Sequence, residues 1–126
     1  MPRKAQPAPS QRMLRVGEEV RHILSETLRN GGFDDPVLFE SSSTVTVTEV
    51  RVSPDLRYAT AYVMTLGGID FDEILPALNE AAWFFQQDIG KKVKMRTTPK
   101  VRFVKDDSFD EAQKIENILK GISEGQ

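Results

Sequence analysis

The segment from residue 44 to residue 65 restricts the fold of this chain more than any other. It contains two runs of alternating, largely β-branched or aromatic residues, at 44–52 and at 58–65. Such runs predict β-strands. The first four of the five residues between them (SPDL, 53–56) include the proline and aspartate that favour a tight turn. We therefore expect an antiparallel hairpin.

The first of these strands carries a change of phase. Val45 and Val47 fall on one face by strict alternation, whereas Val50 and Val52 fall on the other. One extra residue in a strand restores a common face for all four side chains. We predict a β-bulge near Thr48–Glu49.

An amphipathic helix precedes the hairpin. From Gln11 onward, apolar residues recur at intervals of 3, 4, 3, 1 and 4, which is the spacing of one helical stripe. Gly31-Gly32 is expected to end this helix. The stripe consists of Met13, Val16, Val20, Ile23, Leu24 and Leu28.

A second helical period follows the hairpin and runs from Phe71 to Ile89. Pro76 lies inside it. A proline is tolerated in the first helical turn, where the backbone amides have no intrahelical partner. This constraint predicts that the helix begins with Asp72 as its N-cap.

The last third of the chain changes period again. Between Lys91 and Lys105, apolar and basic residues alternate, which predicts a strand through the second half of the segment. That strand would bury its apolar residues and display a basic row. Ser108 and Glu111 then match a capping box that opens a final helix reaching Ile122.

The order of elements therefore predicts an α+β domain with one three-stranded sheet. Its length of 126 residues suits a single domain. Residues 1–10 contain three prolines and are predicted to form a disordered head. The domain is expected to span residues 11–122, and residues 123–126 form a C-terminal tail.

Charge is segregated along the chain. The formal net charge is −2, which argues against nucleic acid as a partner. Yet Lys91–Lys105 contains seven basic and no acidic residues, a local charge of +7. Residues 30–90 contain two basic and ten acidic residues, a local charge of −8. The distribution, rather than the total, predicts the partner.

The residue types argue against most enzymatic chemistry. The chain has no cysteine and one histidine, His22. This composition excludes metal sites built from thiolates or from several histidines. It also argues against a serine nucleophile, because one histidine is the sole candidate for its general base. The acidic groups near Asp35, Asp72 and Asp106 are interpreted as helix caps and solvated charges. We expect no catalytic residues, no metal and no cofactor. No stretch is apolar enough to span a membrane, and residues 1–12 lack the apolar core of a signal peptide.

The basic segment is the best candidate site. Its side chains alternate onto one strand face, and they suit phosphate contacts that do not read sequence. The first helix offers Arg12, Arg15 and Arg21 as candidate neighbours. Among the aromatic residues, Tyr58 and Tyr62 are interpreted as core, and only Trp83 is kept open as a stacking residue. The predicted RNA-binding residues are Lys91, Lys92, Lys94, Arg96, Lys100, Arg102, Arg12 and Arg15.

Two other functions stay open on the residues alone. The acidic middle segment fits a protein-interaction adaptor that meets a basic partner. Its aspartates and glutamates also leave a small magnesium-dependent RNA-processing enzyme conceivable. Binding insensitive to nuclease favours the adaptor, and turnover of an rRNA precursor that is lost with chelator favours the enzyme.

The sequence also resembles a known family. Residues 45–63 (VTVTEVRVSPDLRYATAYV) are similar to the signature hairpin of ribosome-binding factor A. Residues 12–16 (RMLRV), 77–82 (ALNEAA) and 96–103 (RTTPKVRF) resemble its first helix, central helix and last strand. The resemblance covers residues 11–122, and its separate motifs occur in the family's order.

This resemblance implies a KH-like domain of type II, ordered α-β-β-α-kink-α-β, with helices on one face of a three-stranded sheet. It implies a cytoplasmic, monomeric, non-enzymatic factor that binds the free 30S subunit. Such a factor assists late maturation and processing of 16S rRNA, notably in the cold. The chain contains no GxxG loop. The family's Ala-x-Gly kink aligns with Ala81, Ala82 and Trp83, so a tryptophan replaces the glycine. Where the family often has a basic residue, this chain has Gln86.

Overall fold

A computed structural model describes residues 8–108 of the chain. The predicted first helix, hairpin and third strand are confirmed. Residues 1–7 of the predicted head and the predicted final helix from residue 109 onward lie outside the described residues. The elements are α1 (Gln11–Asn30), α2 (Pro36–Ser41), β1 (Val45–Val52), β2 (Tyr58–Thr65), α3 (Phe71–Glu80), α4 (Ala82–Lys92) and β3 (Lys100–Lys105).

Helix α1 begins and ends where its sequence predicts. The Ser10 hydroxyl accepts a hydrogen bond from the Met13 amide at 3.1 Å and caps the first turn. Gly31 ends the helix with φ of 69°, a conformation that favours glycine. In the middle of α1, a Cβ on Gly17 would lie 2.6 Å from the Val50 carbonyl oxygen. The missing side chain therefore allows α1 to pack directly on the backbone of β1.

The three strands form one sheet in the order β1-β2-β3. Strand β1 pairs with β2 antiparallel, and β2 pairs with β3 parallel. The predicted bulge is confirmed, because the register of β1 shifts between Val47 and Glu49. Buried residues alternate along each strand, and α1, α3 and α4 pack against the sheet. The opposite face of the sheet (the outer face) carries the exposed and half-buried residues, so the predicted α+β architecture is confirmed.

The segment after α1 contains a short helix, Pro36–Ser41, that the sequence did not predict. The Asp35 carboxylate accepts hydrogen bonds from the amides of Val37 and Leu38, at 2.8 and 3.2 Å, and Pro36 occupies the first helical position. Leu38 of this short α2 is fully buried. We expected only a polar connection at residues 34–36, because the six-residue helix is too short to show a helical period.

The long helical stretch is two helices that meet at Ala81. The predicted N-cap at Asp72 is wrong: α3 begins at Phe71, and Asp70 is the N-cap, with φ of 57°. The earlier start lets Phe71 pack against the core. Pro76 consequently lies beyond the first turn, and the carbonyl of Asp72 lacks its usual intrahelical donor.

Candidate nucleic-acid interface

The basic row of the third strand lies on the outer face of the sheet. Val101 and Phe103 are buried in the core, and their neighbours Lys100 and Arg102 are exposed. The Lys100 amide donates to the Arg57 carbonyl at 2.8 Å, which joins the start of β3 to the hairpin turn. The predicted display of basic residues opposite the apolar set is therefore correct for β3.

A tyrosine lies beside this row. In the parallel ladder, Tyr58 is opposite Lys100 and Thr60 is opposite Arg102. We interpreted Tyr58 as a core residue, which is wrong: it is 56% exposed. The alternation of β2 contains the signal, because Ala59, Ala61 and Val63 are buried and Tyr58 has the opposite phase. Aromatic side chains on an open sheet face can stack on bases.

Arg51 of β1 completes a row across the three strands. It is opposite Thr60, which in turn is opposite Arg102. The Arg51 Nε donates to the Glu49 carboxylate at 2.6 Å, and this hydrogen bond raises the pKa of the guanidinium. Glu49 therefore offsets the charge of Arg51, and Arg102 is the cation of this row with no ion pair among residues 8–108.

The loop between α4 and β3 folds back and gathers the remaining cations. A Cβ on Gly90 would lie 3.1 Å from the Thr98 hydroxyl, so the loop returns to the end of α4. This return brings Lys91 and Lys92 near the start of β3. Lys94 and Arg96 are exposed on the loop, whereas Val93 and Met95 pack against the core. The apolar residues thus anchor the loop and orient the basic ones to solvent.

The eight predicted RNA-binding residues form two groups. Six lie on the outer face of β3, on the preceding loop and at the end of α4, and we call this set the basic surface: Lys91, Lys92, Lys94, Arg96, Lys100 and Arg102. Within residues 8–108, Lys92 is the member that forms an ion pair, with Glu26 at 3.5 Å. Arg12 and Arg15 begin α1, and Arg15 lies about 16 Å along the helix axis from Glu26.

The start of α1 borders the hairpin end of the outer face, where β3 also begins. Met13, Arg51 and Tyr58 line a groove of about 510 Å³. Arg12 precedes Met13 and is exposed, as is Arg15. The structure therefore places these two arginines at the hairpin end of the molecule, and away from Lys91 and Lys92.

The kink occurs at Ala81, where the resemblance predicts it. Ala81 has φ of −91° and ψ of 11°, outside the helical region, and α4 begins at Ala82. Trp83 lies in the first turn of α4 and is 58% exposed. It meets the edge of the Phe84 ring at a centroid distance of 6.0 Å. Trp83 is therefore a surface residue and not part of the core.

Two side-chain amides close the free edge of β3. Asn79 donates to the Phe103 carbonyl at 3.0 Å and accepts from its amide at 2.8 Å. The Gln86 side-chain oxygen accepts from the Val101 amide at 2.9 Å. These bonds satisfy the backbone groups that an edge strand usually leaves open. Sequence reasoning missed both residues, because asparagine and glutamine on a helix carry no signal of their distant partners.

The remaining titratable groups have local roles. His22 is exposed, with its Nε2 3.3 Å from Glu18. The acidic residue Asp35 caps α2, as noted above. Asp106 accepts hydrogen bonds from the Thr48 hydroxyl and the Ser108 amide. Among residues 8–108, no three His, Cys, Asp or Glu side chains are grouped as metal ligands. In the same range, no helix is long and apolar enough to cross a membrane.

Comparison with known proteins gives one family. The family model described as ribosome-binding factor A matches residues 12–119. The ribosome-binding factor A of Rhodopseudomonas palustris is 49% identical over 118 residues, which cover 93% of this chain and 85% of that protein.

Solved structures agree with the fold. The chain resembles the solution structure of a putative ribosome binding factor A from Thermotoga maritima, with a TM-score of 0.65 and 32% identity. The match covers 80% of this chain and 92% of that one. It also resembles a Thermus thermophilus ribosome binding factor A fitted into a cryo-EM map of a 30S complex. That match has a TM-score of 0.60 and 22% identity, and covers 75% of this chain and 96% of the other. The expected KH-like fold is confirmed.

Proposed function

The chain belongs to the ribosome-binding factor A family, and we propose that it is a non-enzymatic assembly factor for the small ribosomal subunit. It binds the free 30S subunit and assists late maturation and processing of 16S rRNA, including at low temperature. It acts in the cytoplasm as a monomer, through an RNA-binding domain at residues 11–122, and needs no cofactor. The complex of the Thermus thermophilus relative with a 30S subunit supports this assignment.

One observation carries the proposal. Five of the six cations of the basic surface form no ion pair within residues 8–108, and no acidic residue interrupts their segment. Unpaired, exposed cations attract the phosphates of RNA and release counterions when they bind. Such contacts position a protein on RNA without reading its sequence.

The same arrangement suggests the mechanism. The basic surface offers cations and a neighbouring tyrosine, Tyr58, which bind phosphates and bases. A protein that binds one rRNA conformation more tightly than another shifts the population toward it by that difference in affinity. Binding the mature-like conformation is therefore sufficient to assist folding, and to present the rRNA ends for processing by other factors.

Co-sedimentation tests this proposal most simply. The purified chain is mixed in parallel with free 30S subunits, 50S subunits and assembled 70S ribosomes. We expect it to sediment with free 30S subunits and to remain in the supernatant with the other two. Equal sedimentation with all three would contradict the proposal and indicate nonspecific RNA binding.

A matched pair of variants locates the site. Arg102→Glu reverses a charge on the basic surface, and Arg29→Glu reverses an exposed arginine in the last turn of α1. The first substitution is expected to weaken 30S binding about tenfold, since one phosphate contact is replaced by repulsion. The second is expected to leave it unchanged. The reverse result would place the interface on another face.

A further inference from the structure

The kink between α3 and α4 opens into a groove of about 310 Å³. Its floor is aromatic: Phe33 is buried, and its ring lies 5.0 Å from that of Phe84. Trp83 forms one wall, and Ala77 and Ala81 contribute the short side chains that leave the space open. We call this site the kink groove. It lies outside the basic surface and has no part in the function proposed above.

Trp83 is held in position without being covered. Its neighbour Phe84 donates its amide to the Ala81 carbonyl at 3.0 Å, which fixes the first turn of α4. A tryptophan is usually well buried, and exposed ones are enriched at binding hot spots. Because the backbone that carries Trp83 is already ordered, a ligand that packs on the indole orders little of the chain.

The charge of the kink groove is opposite to that of the basic surface. Asp34, Asp35 and Glu80 line it, and no cation from residues 8–108 does. Asp35 is held by its hydrogen bonds to α2. Asp34 and Glu80 form no ion pair among residues 8–108, so their charges are available to a ligand. Carboxylates repel RNA phosphates and attract lysine and arginine side chains.

These observations select one class of partner. The aromatic floor requires an apolar side chain, and the acidic rim requires positive charge beside it. We propose that the kink groove binds a lysine- and arginine-rich protein segment that carries an apolar or aromatic anchor. The anchor packs on Trp83 and Phe84, and the flanking cations pair with Asp34 and Glu80. The groove accommodates about one anchor, so we expect a dissociation constant on the order of 10–100 μM for a short peptide.

Trp83 is the single tryptophan of the chain and reports on its own site. The full chain is titrated with the synthetic peptide KRKFKRK while tryptophan emission is recorded. We expect a saturable change in emission. The peptide KRKAKRK should bind at least about tenfold more weakly, because it lacks the anchor. The charge-reversed peptide EDEFEDE and a uridine decanucleotide should leave the emission unchanged, because the carboxylates of the groove repel both and binding at the basic surface does not cover Trp83.

Other results would overturn the proposal. A saturable change in Trp83 emission on addition of the decanucleotide, at lower concentration than with KRKFKRK, would make the groove an RNA-stacking site. Equal binding of KRKFKRK and KRKAKRK would mean that charge acts without the groove. A change in emission with protein concentration alone would indicate that a second copy of the chain covers Trp83.

Variants separate a specific groove from a general acidic surface. Asp34→Asn combined with Glu80→Gln should weaken KRKFKRK binding at least about tenfold. The control, Glu40→Gln combined with Asp72→Asn, removes two exposed carboxylates outside the groove and should leave binding unchanged. Equal losses from the two pairs would contradict the proposal.

The anchor contact is tested by calorimetry, which does not need the indole. Trp83→Phe should keep most of the affinity, and Trp83→Ala should lose it, provided that both variants melt at the temperature of the unchanged chain. Binding by Trp83→Ala at full strength would contradict the proposal. None of these measurements involves ribosomes, so their failure would leave the 30S proposal standing, and the reverse also holds.

Discussion

The basic surface and the kink groove are consecutive in sequence and opposite in character. The kink groove uses residues from 33 to 84 and combines aromatic rings with carboxylates. The basic surface uses residues 91–102 and combines exposed cations with a tyrosine on the next strand. The net charge of −2 averages the two and describes neither. Segregation of charge along the chain has become segregation in space, so the two regions present opposite charge to a ligand.

The two regions share one rigid frame. Asn79 of α3 and Gln86 of α4 flank the kink and hydrogen-bond the edge of β3. The residues that close the strand edge therefore also set the distance between the groove and the basic row. Gln86 therefore has a structural role in this chain, through its hydrogen bond to the Val101 amide.

The largest difference should appear in stability, between neighbours on α4. Phe85 is fully buried and packs on Phe103 at a centroid distance of 4.9 Å. Phe85→Ala should lower the free energy of unfolding by about 3–5 kcal/mol. Trp83→Ala should lower it by less than about 0.5 kcal/mol, because the indole is largely exposed. Urea denaturation measures both free energies. A large decrease for Trp83→Ala would mean that Trp83 packs in the core.

Charge substitutions should separate the two surfaces in binding. The triple variant Lys94→Glu, Arg96→Glu and Arg102→Glu should lower 30S affinity at least about 100-fold, roughly 3 kcal/mol, because three attractive contacts become repulsive. The kink-groove pair Asp34→Asn and Glu80→Gln should change it less than about threefold. Co-sedimentation over a range of concentrations gives both values. Comparable losses would mean that the two regions form one binding site.

The hydrogen bonds that join the helices to the edge of β3 are tested by removing the Asn79 side chain. Asn79→Ala leaves the amide and carbonyl of Phe103 without partners and should cost about 1–3 kcal/mol of unfolding free energy. Gln87→Ala, at an exposed position on the same pair of helices, should change it by less than about 0.5 kcal/mol. If Asn79→Ala were as mild as Gln87→Ala, water would satisfy the β3 edge equally well.

The hairpin turn that supports the basic row should show the smallest effect. The Ser53 hydroxyl and the Arg57 amide donate hydrogen bonds to Asp55, which lowers the pKa of its carboxyl. The stabilisation is therefore present above the ordinary aspartate pKa, and it is lost as pH falls through the lowered value. Carboxyl chemical shifts should give Asp55 a midpoint below that of an ordinary aspartate. Ser53→Ala should raise that midpoint, and an unchanged midpoint would contradict the hydrogen bond.

Periodicity predicted most of the fold, and the reasons for the misses are local. The alternation of β1 indicated both the strand and its bulge, because buried valines must share one face. Helix α2 was missed since its six residues are ordered by one cap and one buried leucine. The start of α3 was misplaced because the proline constraint was given more weight than the packing of Phe71.

Only part of the candidate site could be predicted, because a charge run is visible in sequence and contacts between distant residues are not. A run of like charges is visible in sequence, so the exposure of these cations could be predicted, whereas their binding to RNA stays a prediction. Arg12 and Arg15 begin α1 beside the groove that Arg51 and Tyr58 line, and their part in RNA binding stays a prediction. The kink groove was not found, since its aromatic and acidic residues lie on three elements that meet only in the folded chain.

The salt dependence of 30S binding tests the central claim most directly. If the basic surface contacts about five phosphates, log affinity should fall with log salt with a slope of about −3.5. The triple charge-reversal variant should keep two of those contacts and show a slope of about −1.4. A slope near zero for the unchanged chain, or the same slope for both proteins, would contradict RNA binding through the basic surface.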